Sequence, residues 1–123
     1  MNALLVFVGG GLGAVLRHGA NRLGATLFGT GFPVATLTVN VVGSLVMGLL
    51  AGLFAESAPV SQQVRLFLTT GVLGGFTTFS AFSLDALTLW ERGQPLVAAG
   101  YVVGSVVLSL GAVALGYALG RML

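Results

Sequence analysis

The stretch from Leu66 to Leu84 reads LFLTTGVLGGFTTFSAFSL and carries no charge over 19 residues. That approaches the roughly 20 apolar residues a helix needs to cross a hydrocarbon core about 30 Å thick. Its centre is poorly suited to a helix. Gly74 and Gly75 bring backbone freedom, and Thr77 and Thr78 bring β-branched side chains with restricted rotamers. Backbone released from a helix at membrane depth survives only when it is buried in protein, lines a wet cavity or coordinates something. One segment therefore predicts both a membrane-embedded chain and a third helix broken mid-membrane, where function would sit.

The rest of the sequence follows the same pattern. The charges fall at Arg17, Arg22, Glu56, Arg65, Asp85, Glu91, Arg92 and Arg121, leaving uncharged stretches at 1–16, 23–55, 66–84 and 93–120. With 56% hydrophobic residues, 7% charged and a mean hydropathy of +1.04, the chain cannot cover a water-soluble surface, for which about a quarter of residues would be charged. The reading is an all-α membrane protein of four transmembrane helices, a single domain over residues 1–123, with helices at about 3–22, 33–55, 63–90 and 96–120. Turn residues punctuate it: Gly29, Gly31 and Pro33, then Ser57 to Pro59, then Gly93 and Pro95. Pro33 and Pro95 suit first-turn positions. The apolar opening from Ala3 to Val8 has no positive residue before it and runs on to Arg17, so it reads as the first helix rather than a signal peptide.

Several function classes drop out. The five arginines are scattered, which excludes nucleic acid as a partner. With no cysteine, one histidine and three dispersed acids, neither a metal cluster nor a catalytic triad can be assembled, so no enzyme is expected. Gly9, Gly11 and Ala14 imitate a dinucleotide fingerprint, but no strand precedes them. Small residues recur every fourth position at Gly9 and Gly13, at Ser44, Gly48 and Gly52, at Gly100 and Gly104, and at Gly116 and Gly120. This spacing lets backbones approach, either within the bundle or between subunits.

The polar residues inside the spans are the candidates for function. Asn40 has Thr36 and Ser44 one turn to either side, and it serves either as interhelical glue or as an amide donor facing a pore. Tyr101, Ser105 and Ser109 form a hydroxyl stripe on helix 4. Phe79 and Phe82 lie among Thr77, Thr78, Ser80 and Ser83. A ring edge carries partial positive charge and can meet an anion that its face would repel. Arg17, followed by His18, either snorkels to the headgroups or draws anions. Asp85 either pairs with an arginine or sits at a wet entrance.

Three motifs, Gly10-Gly11-x-Gly13-Ala14-x-x-Arg17, Thr38-Val39-Asn40-x-x-Gly43-Ser44 and Gly74-Gly75-Phe76-Thr77-Thr78-Phe79-Ser80-x-Phe82-Ser83, one in each of the first three helices, resemble the Fluc, or CrcB-type, family of fluoride channels, and the likeness continues in order into the fourth helix. The resemblance implies a fluoride-selective passive channel in a prokaryotic-type inner membrane, built as an antiparallel, dual-topology homodimer with two pores. It implies pore roles for Asn40, Phe79, Phe82 and Ser80, a polar track of Tyr101, Ser105 and Ser109, and Arg17 near the vestibule. It also implies a structural sodium ion at the dimer interface, held by the carbonyls of Gly74 and Thr77. Ala81 stands where the family often has a second threonine, and His18 where an aromatic is frequent. The alternative is a small multidrug-type, proton-coupled exporter, but that mechanism wants an acid deep in the membrane, and the three acids here lie near predicted helix ends.

The arginines also bear on orientation. Arg65 and Arg121 fall on one side of the membrane and Arg22 and Arg92 on the other, with Arg17 deeper, a balance that fixes neither orientation. A single cysteine introduced as Ser57→Cys is expected to label from both sides of the membrane, and labelling from one side only would contradict dual topology.

Overall fold

Glycines set which helices touch, and the pairs they form position the rest of the chain. The computed structural model describes residues 1–55 and 60–123; Glu56 and the turn expected at Ser57 to Pro59 lie outside the described residues. Among the described residues four stretches are long and apolar enough to cross a membrane: Asn2–Phe28, Val34–Phe54, Gln62–Glu91 and Pro95–Met122. The first is helix α1 (Asn2–Phe28) and the second α2 (Val34–Phe54). The third is composite, running from α3 (Gln62–Leu66) through a π-helical segment (Phe67–Leu73) to α4 (Gly74–Phe76), then resuming as α5 (Phe79–Glu91). The fourth is α6 (Pro95–Met122).

The boundaries differ from expectation in instructive places. Arg22 does not end α1, which runs to Phe28 and stops at Gly29, whose φ of 76° requires glycine and whose N–H donates to the Ala25 carbonyl. An arginine can extend toward water without interrupting a helix. Pro33 sits just before α2 as its N-cap, whereas Pro95 occupies the first turn of α6. The π-helical segment has no counterpart in the sequence reading. Gly74 and Gly75 are helical, and the residues with extended backbone are Thr77 (φ −84°, ψ 158°) and Thr78 (φ −152°, ψ 122°).

Two tight pairs organise the bundle. A Cβ on Gly13 of α1 would run into the Val72 carbonyl, and one on Gly75 would run into the Gly10 carbonyl, so α1 seats the π-helical segment and α4 backbone against backbone. In the second pair Gly48 of α2 faces Val113 of α6, while Gly116 of α6 faces Leu45. Gly9 and then Gly13 face Phe67 and then Val72, and Gly48 and then Gly52 face Val113 and then Tyr117, so the two helices of each pair run in the same direction. Among the described residues a Cβ on Gly100 or Gly104 would meet nothing within 4 Å, so the glycine face of α6 is open there. α1 and α2 come close near their shared loop, where Gly24 lies against Ala35.

The buried apolar cluster is small: Phe82, Leu89, Ala98 and Tyr101, with Phe32, Leu37 and Ala86 against it. It joins α5 to α6 and closes one end of the bundle. Leu4, Phe7, Val15, Val103, Val107 and Leu110 are among many large apolar side chains left on the outside. In water such a surface would be a liability, and in lipid it is the expected exterior.

A methyl group placed at Gly116 must displace the Leu45 backbone. Gly116→Ala is expected to lower stability by about 1–3 kcal/mol, the usual cost of overpacking, in denaturant titrations in mixed micelles. Gly19→Ala, at a position with open space around it, is expected to change stability by less than about 1 kcal/mol.

Candidate functional site

The interruption at Thr77 and Thr78 frees peptide groups that the rest of the chain must satisfy. Asn40, on α2, meets this need with both ends of its side-chain amide. Its Nδ2 donates to the Thr78 carbonyl at 3.0 Å, and its Oδ1 accepts from the Thr78 N–H at 2.8 Å. The amide thus pairs with Thr78 as a neighbouring strand would. The Thr78 hydroxyl then caps α5 by accepting from the Ala81 N–H at 3.1 Å, while the Thr77 hydroxyl turns back and donates to the Leu73 carbonyl at 2.9 Å. Arg17 reaches across from α1 and donates its Nε–H to the Gly75 carbonyl at 3.1 Å.

Beside this turn lies an open groove of about 440 Å³ between α2, α5 and α6. Its walls bring together Asn40, Phe79, Phe82, Ser105 and Ser109 from the sequence candidates, and Thr77 as well. Phe79 is 78% exposed and Phe82 is buried, and their ring centroids stand 5.5 Å apart at a tilt of 49°. Ser105 is 6% exposed, and its hydroxyl is buried with no hydrogen-bond partner among the described residues. Burying a hydroxyl without a partner costs about 1–3 kcal/mol by mutational measures, so Ser105 carries an unmet donor into the groove wall. Asn40 retains one further N–H on Nδ2, since an amide nitrogen carries two and Thr78 takes one.

Other candidates lie apart from the groove. Tyr101 does not line it. Its ring is 2% exposed, packed at 5.3 Å from Phe82 and edge-on to Phe32 at 5.5 Å, and its hydroxyl donates to Asp85 Oδ2 at 3.2 Å. The stripe of Tyr101, Ser105 and Ser109 is therefore divided, with the two serines on the groove and the tyrosine behind its end wall. Ser80 is exposed, with its hydroxyl 3.4 Å from that of Thr78. Gly74 lies at the start of α4, where it is exposed, outside the groove lining. Arg17 also stands outside the groove. Thr36, one turn from Asn40, faces a separate cavity of about 190 Å³ that also contains Asp85 and Arg92. Arg92 there donates to the carbonyls of Thr30 and Gly31 at 3.3 and 3.5 Å, and Asp85 takes the tyrosine as its partner.

Sequence reasoning missed Thr78 as the partner of Asn40 and Met47 as part of the groove. Met47 lies seven residues, about two helical turns, after Asn40, a spacing that could have placed both on one face. Nothing in the spacing pointed from α2 to Thr78.

Comparison with known proteins places this arrangement in context. A family model described as CrcB-like protein, Camphor Resistance (CrcB), matches residues 4–117. The fluoride-specific ion channel FluC of Rhodopseudomonas palustris strain BisB5 is 58% identical over 121 residues, 98% of each chain. The fluoride-specific ion channel FluC 2 of Nitrobacter hamburgensis is 57% identical over 123 residues, covering 100% of this chain and 99% of the relative. FluC of Agrobacterium fabrum is 50% identical over 123 residues, covering 100% and 98%.

Asn40→Ala would leave both Thr78 peptide groups without their side-chain partner. The expected loss is about 2–4 kcal/mol of stability, from two polar groups each left unsatisfied, read from denaturant titration in micelles. Wild-type stability in this variant would show that the amide does not hold the turn.

Proposed function

Starting from the chain's membership of the CrcB-like family, we propose that it is a fluoride-specific passive channel, a multi-pass protein of the bacterial inner membrane. The observation that carries the reading is the buried Ser105 hydroxyl, without a partner among the described residues, on a groove shared with Asn40, Phe79 and Phe82. Fluoride is small and strongly hydrated, so a path must replace its water with many donors, none strong enough to trap it. The spare N–H of Asn40, the hydroxyls of Ser105 and Ser109 and the ring edges of Phe79 and Phe82 form such a series. Ser80 and Tyr101 would flank this file rather than form its walls. The relatives named as channels support this reading and lend nothing to proton-coupled export. Transport by this route requires no chemistry on the ion.

In this reading two copies lie antiparallel in the membrane with two pores between them, and the interruption at Thr77 and Thr78 falls at mid-depth. The balanced arginines support dual topology. The open groove and the open glycine face of α6 at Gly100 and Gly104 support a second copy as cover.

The sodium ion belongs to the same proposal, held between copies by the carbonyls of Gly74 and Thr77. In a continuous α-helix these carbonyls would accept from Thr78 and Ala81, but the Thr78 amide donates to Asn40 and the Ala81 amide to the Thr78 hydroxyl. Diverted donors leave oxygen acceptors of the kind a hard cation takes. Bound there, sodium would supply positive charge to offset repulsion among the carbonyls.

Purified protein in liposomes is expected to release trapped fluoride down its gradient without a proton gradient, and absence of efflux would overturn the channel reading. Phe79→Ile and Phe82→Ile keep bulk but delete the ring quadrupole. Each is expected to cut efflux by at least about tenfold in protein that still assembles, as loss of a directional ring contact in a dehydrated path implies. Normal conduction in both would make the rings packing residues.

A further inference from the structure

The turn between α4 and α5 is held from two helices, and the hold from α1 ends on a single side-chain nitrogen. In a continuous helix the Gly75 carbonyl would accept from the Phe79 amide. Here Phe79 follows two extended residues, and the carbonyl accepts instead from Arg17 Nε at 3.1 Å. The same peptide region is gripped a second time by α1, because Gly75 lies so close to the Gly10 carbonyl that a Cβ would not fit. Gly10 and Arg17 are seven residues apart, about two turns, and therefore share a face of α1. With Gly13 between them, seated on Val72 and Phe76, that face forms a continuous bed for the segment leading into the turn. An arginine within a membrane span is costly and calls for a specific partner. The partner here is a backbone carbonyl, and the guanidinium lies outside the groove.

We propose that Arg17 is a positioning residue. Its Nε–H fixes the Gly75 carbonyl, and through it the turn that sets Phe79 and Phe82 on the groove, so conduction depends on this directional donor rather than on the positive charge. The inference rests on the channel reading and specifies how one residue serves it. A glutamine tests the difference, because its side-chain nitrogen stands the same number of bonds from the backbone as arginine Nε and is neutral. A lysine keeps the charge but puts a methylene at that position.

Fluoride efflux from liposomes would be compared for wild type, Arg17→Gln, Arg17→Lys and Arg17→Met, together with amide hydrogen exchange in micelles over residues 74–81. Arg17→Gln is expected to keep at least about a third of wild-type efflux, whereas Arg17→Lys and Arg17→Met fall by about tenfold or more, in keeping with loss of a hydrogen bond to a charged donor. Exchange over the turn is expected to quicken by about fivefold or more in Arg17→Lys and Arg17→Met and to stay near wild type in Arg17→Gln, since local opening follows loss of the hold. Near-normal efflux in Arg17→Lys with collapse in Arg17→Gln would overturn the proposal and return Arg17 to anion attraction. If Arg17→Gln fails to assemble, exchange in Arg17→Lys decides, and unchanged exchange there overturns the proposal. A wild-type protein that releases no fluoride would instead fail the channel reading, while the exchange comparison would still report on the turn.

Discussion

The pair of hydrogen bonds between Asn40 and Thr78 is the interaction on which the site's geometry depends. Inside a bilayer no water is available for peptide groups that leave a helix, so each must be matched from within the protein. Asn40 matches both groups of one peptide residue and ties α2 to the third span at the point where that span changes course. The groove follows from this tie. Phe79 begins α5 directly after Thr78, and Phe82 lies one turn further on, so the position of Thr78 sets where both rings stand relative to the serines of α6. The same amide that anchors the turn also lines the groove with a hydrogen to spare. Structural and functional readings of Asn40 are thus compatible uses of one side chain.

Glycine accounts for much of the remaining architecture. The expected small-residue pairs at Gly9 and Gly13 and at Gly116 and Gly120 lie within the chain, seated against backbone. The pair at Gly100 and Gly104 does not. Identical spacing in sequence therefore has two outcomes, and only the placement of neighbouring helices separates them.

The spans were legible because lipid imposes a length and excludes charge, and these are properties a sequence displays directly. Less legible were features that depend on partners distant in the chain. Arg22 looked like a helix end because a charge at a span's edge resembles a boundary, yet α1 passes it and stops at Gly29. The π-helical segment carries no compositional mark. Gly74 and Gly75 drew attention as weak helix formers, whereas Gly75 is needed for its missing Cβ against Gly10, and the extended backbone belongs to the two threonines, whose hydroxyls cap and back-bond around it. Tyr101 shared helical spacing with Ser105 and Ser109, but its length carries its hydroxyl to Asp85, out of the groove. Helical periodicity assigns a face, and side-chain reach then decides which neighbour is met.

The two tight pairs also bear on how the chain is made. Each joins helices that are second neighbours in sequence, α1 with the third span and α2 with α6. During synthesis, α1 enters the bilayer before the segment that its glycine face fits, and that face waits unmatched while α2 follows. Only when residues 67–76 emerge can Gly9, Gly13 and Arg17 find their partners. In that interval Arg17 has no Gly75 carbonyl to bind, and the ribosome's pace sets how long the membrane must tolerate it.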